Sequence, residues 1–323
     1  MKYFTKKIPT LIAILATLVL ALLAPLSGCA NASDAVSKDK LTVMATTTML
    51  GDLVKNISGD AVSVRTLMGP GLDPHTYQAS AGDVTLMQEA DIVVYNGLHL
   101  EGKMGDVFSA LSESGRDIIC IADGLDETRL LSSEEAGGTV DPHIWFDVSI
   151  WTDAAAYLAD RLSQIDPDHA DQYNENLQTY TAELEDLDAY IRRRTEELTP
   201  AQRVLITAHD AFRYFGAAYG YEVQGLQGIS TSAEAGTADV SHLAAVIAEH
   251  SIGAIFLETS VPTKSIEALQ AATEACGFSV DIGGTLYSDS LGDTASGCDT
   301  YISTFKANID TIVDGLKGGG TDD

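Results

Sequence analysis

The stretch DPDHADQYNENLQTYTAELEDLDAYIRRRTEELTP, residues 166–200, decides how the chain is organised. Its apolar side chains recur mostly at three- and four-residue spacing over a polar background, which is typical of one amphipathic helix. The helix is predicted to start after Asp166-Pro167 and to end at Pro200, a rod of about 48 Å at 1.5 Å per residue. Two shorter helices with a break near Thr179 are the alternative. The apolar positions are Tyr173, Leu177, Tyr180, Leu184, Leu187, Ile191 and Leu198.

On either side of this helix, short apolar runs rich in β-branched residues alternate with longer patterned segments. This alternation predicts an α/β fold of two lobes, each with a mostly parallel four-stranded sheet flanked by helices, joined by one long rigid backbone helix. The predicted strands are 41–47, 62–68, 91–97 and 117–123 in the first half, and 204–209, 223–228, 252–258 and 279–284 in the second. The predicted helices include 83–90, 240–250 and 264–275.

The first residues predict export. Lys2, Lys6 and Lys7 precede an apolar run shorter than the roughly 20 residues that span a bilayer, as in a secretory signal peptide. The run ends in LSGC, residues 26–29, which resembles the lipobox of bacterial lipoproteins, where the peptide before Cys29 is removed and its thiol is lipidated. An ordinary signal peptide with a chance cysteine is the alternative.

These features predict six segments. They are a lipoprotein signal peptide (1–28), a tether (29–40), an N-terminal lobe (41–165), the linking helix (166–200), a C-terminal lobe (201–317) and a flexible tail (318–323).

The charge of the chain excludes one class of partner. Lys and Arg number 19 against 47 Asp and Glu, a formal net charge of -28. Nucleic-acid binding requires a basic surface, so nucleic acid is not expected as a partner. A negative field instead concentrates cations at a binding cleft.

Three cysteines follow Cys29, so at most one disulfide bridge forms among them. Cys120 lies in the apolar run DIICIAD and is expected to be a buried free thiol. Cys276 and Cys298 flank a glycine-rich segment, and a bridge between them is favoured for an exported protein.

Three of the seven histidines fall where a strand or apolar run gives way to a loop, which is where α/β sheets bind ligands. His75 and His143 each end an Asp-Pro-His string, and His209 ends a predicted strand. Proline stiffens the turn before the imidazole. Asp73 or Asp141, two residues away, is placed to accept the second imidazole N–H, as carboxylates around metal sites do.

The other histidines are not assigned to a metal. His169, His242 and His250 lie in helical patterns and are expected to be structural or solvated, and His99 follows a strand end. The fourth donor of the site is expected to be Asp289 in LYSDSLG, with Glu258 as its rival. Three imidazoles and a carboxylate suit zinc and other borderline divalent metals better than calcium or magnesium.

Six strings carry a resemblance over most of the chain. They are GLDPHTYQASAGDVTLMQEADIVVYNGLHLEGKM (71–104), DPHIWFDV (141–148), HDAFRYFGAAYG (209–220), GLQGIST (225–231), FLETSVP (256–262) and YSDSLG (287–292). In this order and spacing they are similar to the substrate-binding lipoproteins of zinc and manganese ABC transporters, the cluster A-I family of TroA/ZnuA type.

The resemblance implies two lobes joined by a rigid helix, with a metal ion held between them by His75, His143, His209 and Asp289. In the family the third ligand is His or Glu, so His209 favours zinc and leaves manganese open. Many zinc-specific members carry a His-rich loop before the second ligand, whereas residues 126–140 contain no histidine. Glu258, Asp73 and Asp141 are expected to support the ligands.

The function that follows is capture of zinc or manganese outside the cytoplasmic membrane, by a lipid-anchored monomer that delivers the ion to a permease and its ATPase. No GxxxxGK[ST] phosphate loop occurs, so ATP hydrolysis belongs to a partner. Release is expected to need local movement of one ligand-bearing loop, with His209 or Asp289 favoured. The alternatives are a surface adhesin or scaffold with incidental metal binding, and a zinc hydrolase, although no HExxH string occurs.

Overall fold

The structure, a computed structural model, describes residues 40–133 and 138–318. The expected signal peptide, the lipidation site Cys29, nearly all of the tether and the tail after Gly318 lie outside the described residues. Within these described ranges, no helix has both the length and the apolar character needed to cross a membrane.

The first half contains a sheet of four parallel strands. They are β1 (Leu41–Ala45), β2 (Val62–Thr66), β3 (Ile92–Tyr95) and β4 (Asp117–Cys120), in the spatial order β2-β1-β3-β4. Helices α1 (Thr48–Ser58), α2 (Ala81–Glu89) and α3 (Gly105–Glu113) connect them. The four predicted strands are confirmed, but each ends earlier than predicted because the next residues turn away into loops or caps. Thr47, for example, caps α1 by accepting the Leu50 N–H at 3.3 Å.

A short hairpin and a helix complete the first half. The hairpin pairs β5 (Ser132–Ser133) with β6 (Thr139–Val140), and a 3-10 turn at Ile144–Phe146 follows it. Helix α4 (Val148–Ile165) begins after Asp147, whose carboxylate accepts two N–H groups of the first turn. This capping fixes where the helix starts relative to the turn.

The long predicted helix is α5 (Ala170–Thr195). It runs unbroken through Thr179, so the two-helix alternative is wrong. With 26 residues it is about 39 Å long, shorter than predicted. A 3-10 turn at Pro167–His169 precedes it, and after Thr195 the chain leaves the helix and buries Leu198.

The second half repeats the α/β plan. Its strands are β7 (Val204–His209), β8 (Glu222–Gln227), β9 (Ala254–Glu258) and β10 (Asp281–Leu286). Its helices are α6 (Arg213–Tyr219), α7 (Thr237–His250), α8 (Lys264–Ala275) and α9 (Tyr301–Gly318).

The ladders of the second half differ from the expected single four-stranded sheet. Parallel ladders join β7 with β8 and β9 with β10, and β7 lies beside β9. At the end of β7, the His209 N–H bonds to the Glu258 side chain at 2.8 Å instead of to a β9 carbonyl. In β10 the register shifts between Ile282 and Gly284, where a Cβ on Gly283 would lie only 2.7 Å from the Phe256 ring.

The two halves share one hydrophobic core. The ring of Phe146, from the first half, has its centroid 4.2 Å from that of Phe212 and 5.4 Å from that of Phe305, both from the second half. Trp151 of α4 stacks on Tyr301 of α9. The long helix is therefore one of several connections between the halves, and the residue limits of the lobes stay a prediction.

All three cysteines within the described ranges are free thiols, so the expected bridge between Cys276 and Cys298 is not formed. Cys276 is exposed at the end of α8, whereas Cys298 is buried beside Tyr287, whose hydroxyl it contacts. Cys120 is half-buried rather than fully buried.

Candidate metal centre

Four side chains meet between the two halves. His75 lies in the loop after β2, His143 in the loop after β6, His209 at the end of β7, and Asp289 in the loop after β10. Their ligand atoms all lie within 4.8 Å of one another, and all four residues are buried. The structure thus brings together the four residues that the sequence singled out, from four segments far apart along the chain.

The spacing of the donor atoms fits a small dication. His143 Nε2 lies 3.2 Å from His75 Nε2 and 3.4 Å from His209 Nε2. Asp289 Oδ1 is 3.5 Å from His143 Nε2, and Asp289 Oδ2 is 3.4 Å from His209 Nε2 and 4.0 Å from His75 Nε2. A tetrahedral ion about 2.0–2.1 Å from each donor separates neighbouring donors by about 3.4 Å. An ion of this size at the centre therefore reaches all four side chains.

The imidazole of His143 is held by the carboxylate two residues before it. Asp141 Oδ1 lies 2.7 Å from His143 Nδ1 and also accepts the His143 backbone N–H at 3.0 Å. Both residues are fully buried. With Nδ1 committed to Asp141, Nε2 faces the other donors, which is the arrangement that orients an imidazole toward a metal.

Glu258 supports His209 and is not one of the four donors. Its Oε1 accepts the His209 backbone N–H, and its Oε2 lies 2.6 Å from His209 Nδ1. Strand β8 also approaches the end of β7 closely, since a Cβ on Gly225 would lie 2.3 Å from the Asp210 nitrogen. Glycine at this position lets the two strands pair right up to His209.

Asp73 acts differently from Asp141, although it stands in the same string. Asp73 Oδ1 accepts the backbone N–H of His75 at 2.8 Å, and its Oδ2 accepts the hydroxyls of Thr76 and Thr231. Among the described residues, the contacts of the Asp73 side chain are to the backbone of His75 and to these two hydroxyls, and none is to the His75 imidazole, so the expectation that this carboxylate takes the imidazole N–H is wrong.

Burial and neighbouring charges shift the pKa of each donor. Burial, the largest influence on His75, lowers its pKa to about 4. Burial also disfavours the charged form of His143, but Asp141 and Asp289 outweigh it and raise the His143 pKa to about 9. For His209, two adjacent carboxylates outweigh burial and hold its pKa well above the usual value. The Asp289 pKa is well below its usual value, because His209 and His143 outweigh its burial.

Arg213 adds a positive charge beside the cluster, and no sequence motif pointed to it. Its Nη1 lies 3.6 Å from Asp141 Oδ2, the oxygen that does not contact His143, across the interface between the halves. With the imidazoles neutral, the buried carboxylates of Asp141, Glu258 and Asp289 outnumber the one guanidinium nearby, which Asp210 also approaches at 3.7 Å, and leave an excess of negative charges. A dication balances them, which removes the cost of burying unpaired charge. Arg213 directly follows the apolar pair Ala211-Phe212 after His209, and that pattern gave no signal for it.

Hydrogen bonds between the halves fix the segment around His143. The hydroxyl of Tyr214 donates to the Asp141 carbonyl at 3.0 Å, and Trp145 Nε1 donates to the Ser288 carbonyl at 3.0 Å. The second bond ties the His143 segment to the neighbour of Asp289. His143 and Asp289, which come from different halves, are thereby held at a fixed separation.

The remaining histidines lie outside the cluster. His169 pairs with Asp166, with 2.7 Å between Nδ1 and Oδ2. His242 and His250 are exposed on α7, and His99 is exposed in a loop with a positive φ of 64°. Their placement agrees with the prediction that none of them belongs to the metal centre.

Comparison with known proteins gives matches over nearly the whole chain. The family model described as "Zinc-uptake complex component A periplasmic" (ZnuA) matches residues 43–315. The zinc-binding protein TroA of Treponema pallidum (strain Nichols) is 44% identical over 299 residues, covering 93% of this chain and 96% of TroA. The manganese-binding lipoprotein MntA of Bacillus subtilis (strain 168) is 42% identical over 293 residues, covering 90% of this chain and 95% of MntA.

A third relative and a solved structure extend the similarity. The manganese ABC transporter substrate-binding lipoprotein PsaA of Streptococcus mitis is 30% identical over 317 residues, covering 96% of this chain and 99% of PsaA. The solved structure of the periplasmic zinc binding protein TroA from Treponema pallidum matches with a TM-score of 0.83 and 46% identity, covering 86% of this chain and 99% of that chain.

The α/β fold and the buried cluster of three histidines and one aspartate define a class, the metal receptors that hold an ion between two α/β halves. Within that class, the chain belongs to the ZnuA family of zinc and manganese ABC transporter substrate-binding proteins.

Proposed function

We propose that this chain captures a divalent transition-metal ion, zinc or manganese, outside the cytoplasmic membrane and delivers it to an ABC permease driven by an ATPase. The observation that carries the proposal is the convergence of His75, His143, His209 and Asp289 at the donor spacing of a small dication. These four side chains are the proposed ligands, and Asp141 and Glu258 are proposed to orient two of them.

Either metal is compatible with the donor set. Three imidazole nitrogens and one carboxylate oxygen make a tetrahedral site of the kind that zinc prefers. Asp289 also turns both of its oxygens toward the cluster, Oδ1 to His143 and Oδ2 to His209, which offers a fifth donor to an ion that takes more ligands. The relatives are named for both metals, TroA for zinc and MntA for manganese.

We infer that the mature protein begins at Cys29 and is anchored to the outer face of the membrane by lipid on that thiol, as a monomer. The LSGC string after a basic and apolar leader supports this assignment. Two acyl chains on one cysteine are sufficient for stable anchoring. The names of MntA and PsaA, both called lipoproteins, agree with it.

Elemental analysis of protein purified without chelators, followed by calorimetric titration, tests metal capture. We expect one zinc or manganese ion per chain. His143→Ala should weaken affinity about a hundredfold or more, since one of four ligands accounts for about 3 kcal/mol of a total of roughly 10–16 kcal/mol. His250→Ala, an exposed histidine on α7, is the matched control and should bind as the wild type does. Equal losses in both variants would contradict the proposed ligand set.

Transport is tested in cells. A strain lacking the gene should grow poorly in metal-depleted medium and recover when zinc or manganese is added, and the wild-type gene but not the His143→Ala variant should restore growth. Normal growth of the deletion strain, together with reduced attachment to surfaces, would favour the adhesin alternative.

A further inference from the structure

The loop that carries His75 is held against the second half by hydroxyl groups. The Thr231 hydroxyl donates to Asp73 Oδ2 at 2.6 Å. The Gly71 N–H donates to the Ser290 hydroxyl at 2.8 Å. Both contacts cross between the halves, and both are made by a few polar atoms rather than by apolar packing.

Asp73 links one of these contacts to a proposed ligand. Its Oδ1 accepts the backbone N–H of His75 at 2.8 Å, while its Oδ2 accepts Thr231 and Thr76. Hydrogen bonds to an ionised carboxylate are roughly twice as strong as neutral ones. One carboxylate therefore couples the Thr231 hydroxyl to the backbone position of His75.

Thr231 stands in a segment with few anchors, residues 230–234, which we call the strap. The strap joins β8 to α7 between buried Ile229 and half-buried Ala235, and its residues are exposed except for half-buried Thr231. Ser230 and Ser232 bond to each other within it at 3.1 Å, and the Ser232 hydroxyl also donates to the His75 carbonyl at 3.5 Å, a longer contact than that of Thr231 with Asp73. A segment with little buried apolar surface opens at low free-energy cost, so a polar bond at its middle has a large share in holding it.

We propose that Thr231 is a positioning residue of the metal site: its hydroxyl holds Asp73, and through Asp73 the His75 donor, in the ion-binding arrangement, and so slows release of the ion. This inference rests on the proposed function. His209 and Asp289 were the metal donors expected to move. Glu258, however, contacts His209 at both its backbone N–H and its Nδ1. The hydrogen bond from Trp145 to the Ser288 carbonyl restrains the residue next to Asp289. The contacts favour movement at the strap and the His75 loop instead.

Release kinetics test the proposal. Each variant is loaded with Zn²⁺ and mixed with an excess of chromophoric chelator in a stopped-flow instrument. Thr231→Val keeps the shape of the side chain and removes the hydroxyl, and we expect Zn²⁺ to leave about ten times faster, as for loss of a partly exposed hydrogen bond to a charged group. Thr231→Ser, which keeps a hydroxyl, should release within about twofold of the wild-type rate.

A matched control removes a similar bond elsewhere. Thr128→Val loses a hydroxyl-to-carboxylate bond to Asp126 of 2.7 Å in an exposed turn of the first half, and its release rate should equal that of the wild type. The midpoint of thermal unfolding of each metal-free variant should also be unchanged, which separates positioning from a general loss of stability.

A double-mutant cycle locates the effect in the contact itself. In an Asp73→Ala background, Thr231→Val should accelerate release no further, because its partner is already gone. Wild-type release from Thr231→Val, or an equal acceleration in the Asp73→Ala background, would overturn the proposal while leaving metal capture intact. If the wild-type chain took up no Zn²⁺ at all, the proposed function would fall first, and this inference with it.

Discussion

The two Asp-Pro-His strings, residues 73–75 and 141–143, contain the same three residues but hold their histidines in different ways. Asp141 binds the imidazole of His143, whereas Asp73 binds only the backbone of His75. The His143 segment continues into a buried apolar turn, whereas the residue that follows His75, Thr76, is polar and exposed.

The residues that follow each string explain this difference. After His143 come Ile144, Trp145 and Phe146, which are all buried and carry the segment into the core shared by both halves. After His75 comes the exposed Thr76, whose hydroxyl occupies Asp73. The Asp-Pro-His motif therefore places a histidine Nε2 at the metal centre. Whether the residues after the motif are apolar and buried or polar and exposed decides how firmly that histidine is held.

The largest expected difference between the two regions is in stability. Trp145→Ala should lower the free energy of unfolding by about 3–5 kcal/mol, because it leaves a cavity in a packed core. Thr76→Ala, which truncates the exposed side chain directly after His75, should cost less than about 0.5 kcal/mol. Urea unfolding of the metal-free proteins measures both values. Similar values for the two variants would show that the regions are equally well packed.

Substitutions of the two aspartates should weaken the affinity for Zn²⁺ to different extents. Asp141→Asn removes the carboxylate that orients His143 and should weaken Zn²⁺ binding about 10- to 100-fold, as for other carboxylates behind a metal-bound histidine. Asp73→Asn removes no hydrogen-bond partner from the imidazole of His75. The affinity of this variant for Zn²⁺ should therefore fall less than about tenfold. Competition titration with a chelator of known affinity gives both numbers. The reverse order would refute the assignment of the two roles.

The two histidines should differ in their protonation before the metal ion binds. An ordinary imidazole titrates near pH 6.5, but the pKa of His143 is raised to about 9 and that of His75 is lowered to about 4. At pH 7 the metal-free chain therefore holds a proton at His143 but not at His75, and an incoming ion must displace it. Affinity should fall as the pH is lowered from 9 to 6, by up to about tenfold per pH unit for each displaced proton.

Calorimetry in two buffers of different ionisation enthalpy counts the released protons. We expect at least one proton per ion at pH 7, and a count that decreases above pH 9. Constant affinity between pH 6 and pH 8, with no proton released, would be inconsistent with histidine donors whose charge is set by the adjacent carboxylates.

The smallest expected effect concerns the second contact of the His75 loop. Ser290→Ala removes the hydroxyl that accepts the Gly71 N–H, a neutral hydrogen bond worth about 1 kcal/mol or less at a partly exposed position. Zn²⁺ release measured by stopped flow should accelerate by no more than about fivefold, less than for Thr231→Val. A larger effect for Ser290→Ala would mean that the Asp289 loop, and not the strap, governs release.

Much of the fold and of the candidate site was predictable from the sequence. Most of the strands are apolar runs rich in β-branched residues, and their carboxyl ends are where loops carry ligands. His75, His143, His209 and Asp289 were therefore found from local patterns and the family resemblance. The long helix was predicted from its apolar spacing, which persists on both sides of Thr179. Such features depend on residues that are close together along the chain.

The features that the sequence did not reveal depend on contacts between distant segments. Arg213 approaches Asp141 only because α6 packs against the loop of the other half. Asp73, unlike Asp141, accepts the hydroxyl of Thr231, which lies over 150 residues away along the chain. The Cys276–Cys298 bridge was favoured because the two cysteines flank a glycine-rich segment of a chain expected to be exported. That pattern does not reveal that one thiol is exposed and the other buried beside Tyr287.

The aromatic packing of Phe146 with Phe212 and Phe305 has a consequence for recognition at the membrane. A packed interior shared by both halves resists being pulled apart, because separation would expose these rings to water. The outline of the molecule is therefore expected to be nearly the same with and without cargo. A docking permease would have to recognise occupancy from a small area of surface, and the strap beside the His75 loop is the area where we expect the two states to differ.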